Sequence, residues 1–155
     1  MAANIDLETL RQHSKLFALL NEAGQQRLLE VAGEEAFAPG QELMREGELG
    51  STFYVVIDGH VRVLIDDLGQ MKEVARLGRG AFVGEMAALL GEARSATVVA
   101  DGDARCLRFE SSAVEEVLRD YPRVREALVK LALKRSEDNL QQMLEMEIPP
   151  GADDE

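Results

Sequence analysis

Cysteine, histidine and long apolar runs are scarce in this chain of 155 residues, and each shortage excludes a class of protein. The single cysteine, Cys106, cannot form a disulfide within the chain, which is typical of a reducing compartment and predicts a cytoplasmic protein. The two histidines, His13 and His60, lie far apart and form no His-x-His pair, so a metal-dependent enzyme of the cupin type is not expected. No apolar run approaches ~18 residues, so no membrane-spanning segment is predicted.

Basic residues are also few relative to acidic ones. The chain has 17 lysines and arginines against 29 aspartates and glutamates, which gives a formal net charge of −12. Such a charge repels polyphosphates at long range, so nucleic acid is not expected as a partner. A small anion can still bind where local hydrogen-bond donors outweigh the field of the whole protein.

Periodicity divides the chain into three regions, which together predict one domain over residues 1–146. Apolar residues at helical spacing predict helices over about 5–35, with Asn21 as the N-cap of one of them. Glycine-containing turns at roughly ten-residue intervals separate short β-rich segments over about 36–110, and this pattern predicts a mainly β sandwich, barrel or jelly roll. Helical periodicity returns over about 111–146, and residues 147–155 form an acidic tail.

Two local features of the β-rich region carry specific predictions. Asp58-Gly59 lies between two β-rich segments, and this dipeptide in that setting predicts a two-residue hairpin turn. Cys106 lies in a later β-rich segment and is expected to face the core, because an unpaired cysteine behaves as a small apolar residue.

The segment FVGEMAALLGEARSATVVA, Phe82–Ala100, places one carboxylate and one guanidinium close together in sequence. Gly84 allows the backbone to approach a ligand, and Glu85–Leu90 favours a short helix whose first N–H groups suit an anion. The planar guanidinium of Arg94 can bind two phosphate oxygens at once. Glu85 would repel phosphate, but it would accept a hydrogen bond from a hydroxyl. The combination indicates a ribose that carries a cyclic phosphate. The alternative is a surface ion pair between Glu85 and Arg94, which would contribute little.

This segment resembles the phosphate-binding cassette of the cyclic nucleotide-binding domain, a family that includes catabolite activator protein and the regulatory subunit of protein kinase A. The residues that match the family pattern are Phe82, Gly84, Glu85, Met86, Ala87, Leu89, Leu90, Arg94, Ser95, Ala96 and Thr97. Other family features, Leu16-Phe17, Pro39-Gly40, Gly59-x-Val61-x-Val63 and Gly80, extend the resemblance over roughly residues 7–135. The resemblance implies a mainly β fold, an antiparallel jelly roll (β-roll) of about eight strands over about 36–110, between N-terminal helices and a C-terminal helical lid. It implies no catalysis and no cofactor.

The resemblance also implies a role for each residue of the site. Glu85 would bind the ribose 2′-hydroxyl, Arg94 would bind the exocyclic phosphate oxygens, and Ser95 would lie beside the phosphate and the base. Backbone groups complete the phosphate site, at Gly84, Met86 and Ala87. Apolar side chains would pack near the purine or the ribose, at Val63, Val74 and Leu77. The expected ligand is cAMP, with cGMP left open.

The last predicted helix carries two apolar stripes. Five residues recur at steps of three and four and form a short heptad-like seam: Val129, Leu133, Ser136, Leu140 and Met143. A neighbouring stripe consists of Val124, Leu128 and Leu131. One interpretation is that a stripe simply packs on the roll. The other is that one stripe covers the ligand and the seam pairs with a second copy or a protein partner. The function is therefore predicted as a cyclic-nucleotide sensor that acts through this helix, and the alternative is an interaction module that does not depend on cyclic nucleotide.

Overall fold

The computed structural model describes residues 5–131 and 133–134. Three short helices open this part of the chain: α1 (Leu7–His13), α2 (Lys15–Leu19) and α3 (Glu22–Val31). Each begins after a polar N-cap whose side chain accepts a hydrogen bond from a backbone N–H of the first turn. These caps are Asp6, Ser14 and Asn21, so the N-cap predicted at Asn21 is confirmed.

An antiparallel sheet of six strands follows within the described residues. The strands are β1 (Gly33–Phe37), β2 (Glu42–Met44), β3 (Thr52–Asp67), β4 (Gln70–Leu77), β5 (Phe82–Val83) and β6 (Thr97–Glu110). The strand order is β1-β6-β3-β4, while β2 pairs with β6 and β5 pairs with β3. The mainly β, antiparallel fold predicted from the sequence is confirmed. The two longest strands, β3 and β6, bend at bulges, and their halves account for the predicted count of about eight shorter strands.

The helical region at the start of the chain ends earlier than predicted. Ala32 caps α3 in an extended conformation, and β1 begins at Gly33 rather than near residue 36. The reason is tertiary, because Gly33–Phe37 pairs along its whole length with β6.

Further helices complete the domain. α4 (Glu85–Leu90) lies between β5 and β6, and α5 (Ser111–Leu118) follows β6 directly. A last helix covers 122–131 and begins at Pro122, whose fixed φ suits a first helical turn. In the part of the chain that the structure describes, no helix is long and apolar enough to cross a membrane.

The hairpin predicted at Asp58-Gly59 is wrong. β3 continues through this point and stays paired with β6 on both sides, with register shifts on either side of Asp58. Gly59 has φ +84°, which allows the strand to bulge and bend instead of turning back. The two-residue turn lies later, at Leu68-Gly69, where both residues have positive φ and Asp67 pairs with Gln70.

β3 separates two apolar cores, because successive side chains point to opposite faces of a strand. Phe53, Val55 and Ile57 pack against the helices, whereas Tyr54 and Val56 face the inside of the roll. Beyond the bulge this alternation is shifted, so that odd-numbered residues face the roll: Val61 belongs to its core and Val63 packs against it. Cys106 is fully buried in the same core, as predicted, and burial raises the pKa of its thiol to about 12.

Four phenylalanines connect the helices to the sheet at the start of the segment Phe82–Ala100, which contains Glu85. Phe53 stacks on Phe109 with ring centroids 4.9 Å apart, and Phe82 lies 5.8 Å from Phe17 and 6.3 Å from Phe53. Because Phe82 is the first residue of β5, this cluster fixes the position of the segment that follows it.

The bulge predicts a difference between two glycines that both have positive φ. A Cβ at Gly59 would collide with the carbonyl oxygen of Asp103, whereas a Cβ at Gly102, with φ +78°, would meet no atom within 4 Å. Gly102→Ala is expected to lower the free energy of unfolding by about 1–2 kcal/mol through backbone strain alone. Gly59→Ala should lower it by a further 1–3 kcal/mol, roughly, because the backbone must also move. Urea unfolding measures both values, and equal losses would contradict the close approach at Gly59.

Candidate functional site

A cavity of about 350 Å³ lies between the roll and the segment that follows β5. This volume is in the range of small-molecule sites. Its walls include eight of the nine site residues predicted from the sequence: Val63, Leu77, Gly84, Glu85, Met86, Ala87, Arg94 and Ser95.

The chain turns sharply between β5 and α4 at the cavity wall. Gly84 has φ +78°, which suits glycine, and Glu85 begins α4 directly after it. The N–H groups of a first helical turn have no acceptor within their own helix. Backbone donors of Glu85, Met86 and Ala87 therefore lie beside the cavity.

Arg94 is buried, with only 5% of its surface exposed. Its Nη2 donates to the Thr52 carbonyl oxygen at 2.5 Å, and its Nη1 donates to the Gly84 carbonyl oxygen at 3.1 Å. Burial lowers the pKa of the guanidinium from its ordinary value, although an arginine remains charged at neutral pH. Nη2 of Arg94 also lies 3.4 Å from the Thr52 hydroxyl oxygen. The guanidinium is thus a fixed cation whose hydrogen-bond acceptors are neutral groups.

Two glycines make room for this guanidinium. A Cβ at Gly50 would lie 2.5 Å from Nη2 of Arg94, and a Cβ at Gly84 would lie 2.7 Å from Nη1. The planar group therefore occupies a slot between two backbone segments that have no side chain there.

The alternative interpretation, a surface ion pair between Glu85 and Arg94, is wrong. Arg94 is buried. Within the described residues, 5–131 and 133–134, no ion pair includes Arg94. The two side chains are brought to the same cavity without neutralising each other.

Glu85 contacts the N-terminal helices. The Oγ of Ser14 donates to Oε2 of Glu85 at 2.7 Å, across 71 positions of sequence. Ser14 is 3% exposed and lies at the junction of α1 and α2. The carboxylate that the sequence assigns to the ribose is therefore held from the helical side of the site.

Val74 does not line the cavity, which corrects its predicted place in the pocket wall. It is 49% exposed. Val63 pairs with Ala75 and Leu64 pairs with Glu73, so Val74 is the extra residue of a bulge in β4. The bulge turns Val74 outwards and leaves Val63 and Leu77 as the apolar wall on this side.

Six lining residues are not among the predicted site residues. Phe82, Val83, Ala96 and Val98 belong to the segment Phe82–Ala100 discussed above, whereas His13 and Met44 were missed altogether by the sequence interpretation. His13 ends α1, and its Nδ1 lies 2.9 Å from the carbonyl oxygen of Thr9. Met44 ends β2, and its Cε would lie 2.6 Å from a Cβ at Gly84. No local motif marks either residue, because each reaches the cavity only through the docking of its element.

The last helix contributes no lining residue in the part of the chain that the structure describes. Leu128 is buried and Val124 packs against the helix-side core, so one predicted stripe does pack on the domain. Leu133, which belongs to the heptad-like seam, is 60% exposed. Three residues of the predicted seam, Ser136, Leu140 and Met143, lie outside the described residues. The same holds for the acidic tail at 147–155.

Among residues 5–131 and 133–134, no group of three or more His, Cys, Asp or Glu side chains could hold a metal ion.

Comparisons with known proteins identify relatives by sequence and by structure. The chain is 33% identical over 94 residues to a cAMP-dependent protein kinase regulatory subunit from Mucor circinelloides f. lusitanicus, covering 61% of this chain and 22% of that protein. It is 34% identical over 110 residues to a cGMP-dependent protein kinase from Eimeria tenella, covering 71% of this chain and 11% of that protein. The chain therefore spans at most about a fifth of the length of these relatives.

Solved structures show the same architecture. The catabolite activator protein of Thermus thermophilus superposes with a TM-score of 0.71 and is 28% identical, covering 86% of this chain and 62% of that one. The family model described as "Cyclic nucleotide-binding domain" matches residues 34–121, which is more than half of the chain. This match shows that the chain belongs to the cyclic nucleotide-binding domain family.

Proposed function

We propose that this chain is a regulatory sensor that binds a cyclic mononucleotide in the cavity beside Arg94, without catalysis and without a cofactor. The observation that carries the proposal is the arrangement of one buried guanidinium and one carboxylate at the same cavity. Arg94 and Glu85 are both lining residues, yet they do not neutralise each other. A ligand with one anionic group and one hydroxyl would offer a further hydrogen-bond partner to each of these two side chains.

The phosphate end of the ligand fits the Arg94 side of the cavity. Guanidinium–phosphate hydrogen bonds are short and charge-assisted, and a buried guanidinium is screened little by solvent. Gly84, Met86, Ala87 and Ser95 line the same cavity, and their backbone N–H groups and the Ser95 hydroxyl would complete the phosphate site. One phosphate can therefore be held although the whole chain carries a net charge of −12.

The ribose and base fit the remaining walls. Glu85 would accept a hydrogen bond from the ribose 2′-hydroxyl, since an ionised carboxylate only accepts. Val63 and Leu77 would pack against the ribose or the purine. We propose cAMP as the ligand and cGMP as its competitor. The two relatives do not decide between cAMP and cGMP, because one is named for cAMP and the other for cGMP.

The output would pass through the last helix. Leu128 is buried against the domain, and Leu131, at the end of the same stripe, is 36% exposed. Leu133, which belongs to the heptad-like seam, is 60% exposed. The helix is thus attached along a narrow stripe and has a second apolar side available for another copy of the chain or a protein partner. A ligand can shift such a helix only by its different affinity for the two arrangements.

One observation favours a second candidate, an interaction module that does not depend on cyclic nucleotide. Arg94 already donates to the carbonyl oxygens of Thr52 and Gly84, so it also has a structural role in joining two backbone segments. Direct measurement of nucleotide binding separates the two functions.

Replacement of Arg94 tests the phosphate contact. Arg94→Lys keeps the charge but loses the two-pronged geometry, and Arg94→Ala loses both. Hydrogen bonds to charged groups contribute about 1.5–3 kcal/mol, so the Kd for cAMP is expected to rise about tenfold or more in both variants. Isothermal titration calorimetry with cAMP, cGMP and 5′-AMP measures the effect.

Arg45→Ala is the matched control for the loss of one positive charge. Arg45 is exposed and pairs with Glu42 away from the cavity, so this variant should keep the wild-type Kd. If Arg94→Ala bound both cyclic nucleotides as tightly as Arg45→Ala does, the phosphate site would not lie at Arg94.

Replacement of Glu85 tests the ribose contact. Glu85→Gln should weaken binding of cAMP but change the Kd of 2′-deoxy-cAMP much less, because the deoxy ligand has no hydroxyl to donate. Glu92→Gln, which makes the same change at an exposed position after α4, is the control. Equal losses for both ligands in Glu85→Gln would mean that the carboxylate supports the loop and does not contact the hydroxyl.

The last helix gives a prediction for the output. Addition of cAMP should slow amide hydrogen exchange over 122–131 as well as over Gly84–Thr97, with a coupling free energy of about 1–3 kcal/mol. Sedimentation velocity with and without ligand should show a change in self-association if the exposed stripe pairs with a second copy. Protection confined to Gly84–Thr97, with unchanged sedimentation and no exchange difference over 122–131, would leave a passive binding domain.

A further inference from the structure

Ser14 makes two hydrogen bonds that assign opposite roles to its hydroxyl. Its Oγ accepts from the backbone N–H of Phe17 at 3.3 Å, which caps α2. The same Oγ lies 2.7 Å from Oε2 of Glu85, and an ionised carboxylate only accepts, so the serine proton is directed to Glu85. A hydroxyl has one proton and two lone pairs, so both bonds form at once.

The other two N-caps of this region make no such contact. Asp6 accepts from Thr9, and Asn21 accepts from Gly24 and from the hydroxyl of Tyr121. An aspartate at the position of Ser14 would place a second carboxylate against Glu85. The Ser14 hydroxyl therefore caps α2 and also donates a hydrogen bond to the Glu85 carboxylate.

The two helices on either side of Ser14, α1 and α2, are fixed by their packing on the domain. Leu10, Leu16 and Phe17 on either side of Ser14 are fully buried. α1 also packs on the turn before β5, where a Cβ at Gly80 would lie 2.9 Å from Thr9 and 3.1 Å from His13. Ser14 is thus the fixed partner of the pair, and the longer side chain of Glu85 is the one whose rotamer the bond selects.

We propose that Ser14 is a positioning residue, which orients the Glu85 carboxylate so that it accepts from the ribose 2′-hydroxyl. The inference rests on the proposed function of the cavity. A carboxylate offers about four acceptor sites, so it bonds Ser14 and a ligand hydroxyl together. Because Glu85 is already ordered, binding does not have to immobilise its side chain, an advantage of roughly two- to tenfold in affinity.

The test compares ribose selectivity, the ratio of the Kd for 2′-deoxy-cAMP to the Kd for cAMP. Ser14→Ala should raise the Kd for cAMP roughly two- to tenfold and leave that for the deoxy ligand nearly unchanged, so the selectivity falls. Ser14→Thr keeps a hydroxyl at this position and should keep the ribose selectivity of the wild type. In the double variant with Glu85→Gln, Ser14→Ala should have no further effect on the ratio, because the two changes remove one shared interaction.

Asn21→Ala is the matched control, since it also removes an N-cap in the helical region but contacts no lining residue of the cavity. It should lower the melting temperature and leave the selectivity unchanged. Glycine is a better N-cap than alanine, so Ser14→Gly gives the same measurement if Ser14→Ala does not fold.

The outcomes separate the two proposals. A Ser14→Ala or Ser14→Gly protein with wild-type selectivity, or an equal loss in Asn21→Ala, would overturn the positioning role while the binding function stands. A wild-type chain that binds neither cyclic nucleotide would reject the proposed function and the role of Ser14 with it.

Discussion

The antiparallel pairing of β3 with β6 is the constraint from which the rest of the domain follows. β3 presents one face to the helices and the other to the roll, so both apolar cores depend on it. Its first half pairs with β5 and positions Gly84 and Glu85, and it supplies the Thr52 carbonyl that holds Arg94. Its second half, beyond the bulge at Gly59, places Val63 in the cavity wall. Main-chain hydrogen bonds of one strand thus set the relative positions of groups that are distant in sequence.

Burial of Arg94 allows a single positive charge to attract an anion although the whole protein has a net charge of −12. A cation at the surface would be paired or screened by the excess of carboxylates. Here the guanidinium lies between two glycines and donates to neutral carbonyl groups, which partly compensate its loss of hydration. The slot keeps the positive charge local, so an anion meets a favourable potential at short range although it meets an unfavourable one at a distance.

The N-terminal helices belong to the site and are more than a support for it. Ser14 bonds Glu85 and His13 lines the cavity, while the neighbouring Leu16 and Phe17 anchor both in the helix-side core. Any movement of α4 that displaces Glu85 therefore breaks a hydrogen bond to this helical layer.

Local chemistry in the sequence by itself determined the N-cap at Asn21, the β-rich region and the proximity of Glu85 and Arg94, because neighbours in the chain decide each of these. Only the tertiary structure decided that Gly59 forms a bulge rather than a turn, since that outcome depends on continued pairing with β6. It also decided that Val74 faces outwards, because a bulge in β4 shifts the alternation of side chains. The contact between Ser14 and Glu85 had no sequence signal, because it is made by the docking of two helical segments that share no local pattern.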